Sequence, residues 1–125
     1  MKPVVSQEKP LHWVGSARKD LLAFPGEAVG DFGYALGVVQ LGGIPPSAKP
    51  WKGEGPGVFE IVEDHRGDTY RVAYMVRFVK AVYVLHCFQK KSPSGIRTAR
   101  NDVDLVRERL KRAQTDYEVR YGKDN

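Results

Sequence analysis

The chain has 125 residues, 42% of them hydrophobic and 28% charged, which is the make-up of one globular domain and excludes a two-domain or wholly disordered chain. Twenty Lys and Arg stand against fifteen Asp and Glu, and this net charge of +5 suits a polyanionic partner, either nucleic acid or an acidic protein. The single cysteine, Cys87, excludes an internal disulfide and a cysteine zinc site, while the absence of an ~18-residue apolar run or a signal-peptide core predicts a reduced, cytoplasmic protein with no membrane association.

Residues 1–9 are polar and read as a loose lead-in to a single domain spanning 1–125, with its core at about 10–115. Leu11-His12-Trp13-Val14-Gly15 predicts a first strand. Ser16 is placed to cap a short helix, Ala17 to Ala23, which Pro25 and Gly26 stop. A second helix spans about Glu27 to Leu41, with Val29, Phe32, Leu36 and Val39 at spacings of three and four. Gly30, Gly33 and Gly37 lie inside it, and close approach of another backbone would account for them. Residues 42–57 read as a Gly/Pro-rich loop holding Lys49, Trp51 and Lys52.

Three strand runs follow: Val58 to Glu63, Thr69 to Phe78 and Ala81 to Gln89. A turn at Asp64–Asp68 and a tight reversal at Val79-Lys80 join them into an antiparallel meander. The chain turns polar at Lys90–Gly95, and a last helix runs from a cap at Asn101 to about Asp116. Its stripe is Val103, Val106, Leu110 and Ala113, and Arg109, Lys111 and Arg112 fall late in it, as the helix dipole favours. The order β-α-α-β-β-β-α predicts an α+β domain.

Alternation along the middle strand puts Tyr70, Val72, Tyr74 and Val76 on a core face. Arg71, Ala73, Met75 and Arg77 share the other face, a poor core but a workable floor for an anionic ligand. The end of the third strand returns to the start of the middle one, so Lys90 and Lys91 come close to Arg71, and one of the two lysines shares its side. Such a cluster fits phosphate, with Arg as a bidentate partner and Lys as a point charge. Lys49, Lys52 and Trp51 are candidates to line the same cleft, since aromatic rings beside cations suit unpaired bases. His65, in a turn, and His86, in an apolar strand, are the acid–base candidates, with His12 behind them. No spacing suggests a metal site, no phosphate loop precedes a helix, and no nucleophile triad is readable, so no cofactor is expected.

Three runs carry a family likeness: Gly57-Val58-Phe59-Glu60-Ile61, Gly67-Asp68-Thr69-Tyr70-Arg71-Val72-Ala73-Tyr74, and Val84-Leu85-His86-Cys87-Phe88-Gln89-Lys90-Lys91-Ser92. Together with the Lys-Pro-Trp-Lys-Gly loop and the tail from Ile96 to Ala113, they resemble the RelE/ParE toxin superfamily, and within it the phage-derived HigB-like branch. The resemblance covers roughly residues 10–115. It implies a small twisted antiparallel sheet with helices packed on one side, similar to microbial ribonucleases.

The resemblance further implies a toxin of a type II toxin–antitoxin pair that cuts mRNA in the ribosomal A site without a metal. It implies a helix-turn-helix, HigA-like antitoxin as partner, with operator DNA bound only through the pair. Arg71 matches the family's phosphate-stabilising arginine, and Lys90 and Lys91 match its phosphate-contacting or proton-transferring lysines. Lys49, Trp51, Lys52 and Arg77 are then expected to hold RNA. Val62 and Glu63 stand where many members carry a basic residue, so the general base is not assigned. Two alternative functions follow from the same likeness: a ParE-like inhibitor of DNA gyrase, or an inactive binding module acting only in an operon-repressing complex.

Overall fold

A computed structural model describes residues 8–90 and 98–124. The elements are β1 (Leu11–Trp13), α1 (Ala17–Leu22), α2 (Gly26–Gln40), β2 (Ala48–Pro50), β3 (Val58–His65), β4 (Asp68–Met75), β5 (Val82–Lys90) and α3 (Arg100–Tyr121). The fold is α+β, with a five-stranded sheet in the order β1-β5-β4-β3-β2. The expected meander is present as β3-β4-β5, antiparallel throughout. Its hairpin turn is two residues, Arg66 and Gly67, both at positive φ (50° and 87°), the geometry that matches the twist of the flanking strands.

The sheet departs from the expected all-antiparallel form at one edge. β1 pairs in parallel with β5, Leu11 opposite Val82 and Trp13 opposite Val84, because the chain returns to the sheet through both helices before the meander begins. The Gly/Pro-rich loop is also not wholly irregular. Ala48, Lys49 and Pro50 form an edge strand on β3, a place where proline is tolerated because its missing N–H faces outward.

Helices cover both faces, not one. Phe32, Leu36 and Val39 of α2 and Leu21 of α1 pack on Val72, Tyr74, Val82 and Val84. Val106, Ala113 and Tyr117 of α3 pack on the opposite face, against Ala73, Met75, Tyr83 and Leu85. The face expected to be a poor core is therefore a second core over its middle, and only its end near Arg71 extends past Ala73 along the strand. Gly30, Gly33 and Gly37 do not mark a close backbone approach, since a Cβ built at any of them meets nothing within 4 Å.

The helix starts also differ from expectation. Ser16 precedes α1 but its hydroxyl makes no capping bond; it donates to Asp20 Oδ2 at 2.7 Å and accepts from Arg109 at 3.0 Å. α3 begins one residue before Asn101, after Ala99, and runs on to Tyr121. Arg109 consequently sits mid-helix and is buried. Its guanidinium donates to the carbonyl of Leu85 at 2.9 Å, the residue left unpaired where Ala73 faces His86 but Tyr74 faces Val84. The arginine thus satisfies the backbone that this β-bulge orphans.

Candidate functional site

Pairing and pleat together decide which side chains meet at the end of the second face beyond Ala73. Thr69 is opposite Lys90 and Arg71 is opposite Phe88 and Val62, so Lys90 and Arg71 share a side. Glu60 is opposite both Ala73 and Lys49, and stands on that same side. Four ionisable groups from four neighbouring strands converge there: Lys49 of β2, Glu60 of β3, Arg71 of β4 and Lys90 of β5.

Arg71 and Glu60 form a buried ion pair, each 6% exposed, with the guanidinium donating to a Glu60 carboxylate oxygen. Burial and then the neighbouring Arg71 push the Lys90 ammonium below the ordinary lysine range; Glu60 offsets this in part and Lys49 adds to it. Lys49 is exposed and Lys90 half-buried, so the cluster opens to solvent on its lysine side.

Beside it lies a second constellation. His86 stacks flat on Phe88, with ring centroids 4.6 Å apart and planes at 12°. Its Nε2 is 2.7 Å from Asp102 Oδ1 in the first turn of α3. Trp51 and Phe88 pack edge-to-face, with ring centroids 6.3 Å apart. Two buried donors in this neighbourhood, Arg71 Nε and Trp51 Nε1, have no acceptor among the described residues, and the buried His86 Nδ1 has no partner there either. Polar atoms so placed cost free energy until a hydrogen-bonding partner reaches them.

Of the residues singled out in the sequence, Arg71, Lys90 and Lys49 are brought together, and His86 borders them. Lys91 lies outside the described residues. Trp51 is only 4% exposed and belongs to the second core, so its ring faces are covered by protein. Lys52 is exposed in the turn that follows.

Arg77 stands beyond the other end of β4 and clamps the 51–57 loop, donating to the carbonyls of Pro56 at 3.1 Å and Glu54 at 2.9 Å. Gly57, at φ 83°, lets that loop pass against Arg77, whose Cα would lie 3.3 Å from any Cβ there. His65 points to the opposite face, where its Nδ1 is 3.6 Å from Glu27 Oε2 of α2. Cys87 is buried on that helical-pair side and burial raises its thiol to about 12, which keeps it protonated and unreactive at neutral pH.

Two members escape a sequence reading. Glu60 is a lone carboxylate in the apolar run Val58-Phe59-Glu60-Ile61, and its isolation on a strand was the available signal. Asp102 is ordinary in sequence, being one of several acidic residues at a helix start. Among the described residues no group of three His, Cys, Asp or Glu is arranged to hold a metal ion, and no helix is long and apolar enough to cross a membrane.

Residues 19–111 match the family model described as Phage derived protein Gp49-like (DUF891), a stretch that takes in every member of the cluster. No curated protein and no solved structure matches the chain. With 19–111 matched, the chain belongs to the Gp49-like family of phage-derived proteins, a family associated with RelE-like toxins.

Proposed function

We propose that the chain is the toxin of a type II toxin–antitoxin pair and acts as a metal-independent endoribonuclease on ribosome-bound mRNA. One observation carries the reading: three cations from three strands gather around a single carboxylate, Glu60, at one end of a sheet face. Cleavage by the neighbouring 2′-hydroxyl needs a group to take that proton, charge to steady the phosphoryl oxygens, and a group to protonate the departing 5′-oxygen. Glu60 is the proton acceptor in this scheme, held in place by Arg71. Arg71 and Lys49 face the phosphoryl oxygens. Lys90, whose proton is held less tightly than an ordinary lysine's, is suited to deliver it to the leaving oxygen. His86, fixed by Asp102, borders them.

In this reading the partners are a helix-turn-helix, HigA-like antitoxin, the ribosome and mRNA, with operator DNA reached only through the antitoxin complex. The place of action is the cytoplasm. The test uses Lys49→Gln with Lys90→Gln, two substitutions that leave the buried Arg71–Glu60 pair intact. Purified protein is added to mRNA-programmed ribosomes and the new 5′ ends are mapped. Wild type is expected to cut, and the double variant to cut about 100-fold or more slowly at unchanged thermal stability. Growth arrest with DNA breaks and uninterrupted amino-acid incorporation would instead favour gyrase inhibition. Absence of arrest would favour a binding module.

A further inference from the structure

We propose that the groove between the free edge of β1 and helix α3 is a docking surface for an extended acidic peptide segment of a partner protein, which adds a strand to the sheet beside β1. The groove holds about 590 Å³ and is floored by His12 and Tyr83, with Lys111, Arg112 and Arg120 on its helical wall. It lies toward the opposite end of the second face from the Glu60 cluster. Tyr83 and Lys90 are seven residues apart on β5, roughly 23 Å along the strand, so this inference does not rest on the proposed cleavage.

Three features select that occupant. The first is the backbone. Val14 donates to the carbonyl of Val84, and Val82 donates to that of Pro10, so the even-numbered residues of this segment turn inward to β5. Leu11 and Trp13 then direct their N–H and C=O groups outward, and among the described residues no strand pairs with them. An unpaired edge of this kind is a template for one further strand.

The second feature is charge. Asp116, the groove's one carboxylate, is already engaged by the Tyr83 hydroxyl at 2.6 Å and by Arg120 Nε at 2.7 Å. Lys111 and Arg112 are exposed on the same wall and make no hydrogen bond or ion pair among the described residues. The wall therefore presents two uncompensated positive charges to whatever lies along β1, which favours Asp or Glu side chains.

The third feature separates a peptide from single-stranded RNA. The His12 and Tyr83 rings of the groove are already engaged: His12 packs on Tyr83 at 5.2 Å and on Tyr121 at 5.9 Å, and its Nε2 is 2.7 Å from the Tyr121 hydroxyl. The third ring on the lining, Trp13, packs against the first core, so the groove offers no run of free rings for base stacking, the main source of affinity for unpaired bases. Instead Val119, 81% exposed, borders the groove and offers an apolar rest for a side chain of an added strand.

The probe is an acetylated octapeptide of alternating Glu and Val, with a second version N-methylated on alternate residues and an eight-nucleotide oligouridine as competitor. Binding to the full chain is followed at low salt by amide hydrogen exchange and fluorescence anisotropy. The peptide is expected to slow exchange at Leu11 and Trp13 about tenfold, and the methylated version to lose that effect. Lys111→Glu with Arg112→Glu is expected to weaken binding about tenfold or more, at unchanged fold. Four results would each overturn the proposal: no binding, equal binding by the methylated peptide, unchanged binding by the charge-reversed variant, or oligouridine displacing the peptide from Leu11 and Trp13.

Discussion

Arg71 carries the sharpest tension between stability and activity. Its guanidinium is buried against Glu60, and removing either partner alone leaves an uncompensated charge in the sheet. Arg71→Met or Glu60→Leu is expected to cost about 3–5 kcal/mol in urea unfolding. The double substitution restores an apolar surface and is expected to return to within about 1 kcal/mol of wild type. It is also expected to abolish ribosome-dependent cleavage. A double variant that folds well and still cuts mRNA would remove the pair from the chemistry, whereas loss of activity in a poorly folded single variant says nothing. At this scale the sequence was half legible. Arg71 stands out because an arginine on an otherwise core-forming strand has to be paired or used. Its partner was harder to see, since Glu60 meets it only through the register of β3 on β4.

Helix α2 shows what the elements need and what they merely tolerate. Its buried side follows the expected spacing, with Phe32, Leu36 and Val39 inward. The glycines lie elsewhere: Gly30 and Gly33 are exposed, with open space where a side chain would sit. Alanine there narrows the unfolded ensemble and strains nothing, so Gly30→Ala with Gly33→Ala is expected to raise unfolding free energy by about 1–2 kcal/mol in total. Chemical denaturation checks this directly. Meander, helices and hairpin turn were legible because their signals are local: period, alternation and a Gly at the turn. The parallel β1–β5 pairing, the β2 edge strand and the Leu85 bulge were not, because each depends on a distant segment. The bulge also breaks strict alternation along β5, placing Leu85 and His86 on the same face.

For the whole molecule, the decisive fact is that the sheet is covered twice. Alternation alone marked Ala73 and Met75 as cleft-lining, because arginines flank them on the same face. α3 reverses that assignment by laying Val106, Ala113 and Tyr117 over them, and Arg77 falls outside the strand altogether. The last helical turns therefore matter more than their polar sequence suggests. Ten Lys and Arg against six Asp and Glu fall from Gln89 onward, yet Tyr117 in that segment is 1% exposed. Its ring stacks on Phe78 at 4.1 Å and its hydroxyl donates to Asp124 Oδ1 at 2.7 Å while accepting from the Lys80 amide at 3.1 Å. Those contacts tie the end of α3 to the β4–β5 connection, which closes the second core. Tyr117→Ala is expected to cost about 3–5 kcal/mol by emptying that site. At roughly 4 °C per kcal/mol for a chain of this size, the melting temperature is expected to fall by about 10–20 °C. Tyr117→Phe keeps the ring and loses only the hydroxyl's bonds, for about 1 kcal/mol. Comparing the two melting curves separates packing from hydrogen bonding. Equal small shifts would mean that α3 does not close the core through this residue.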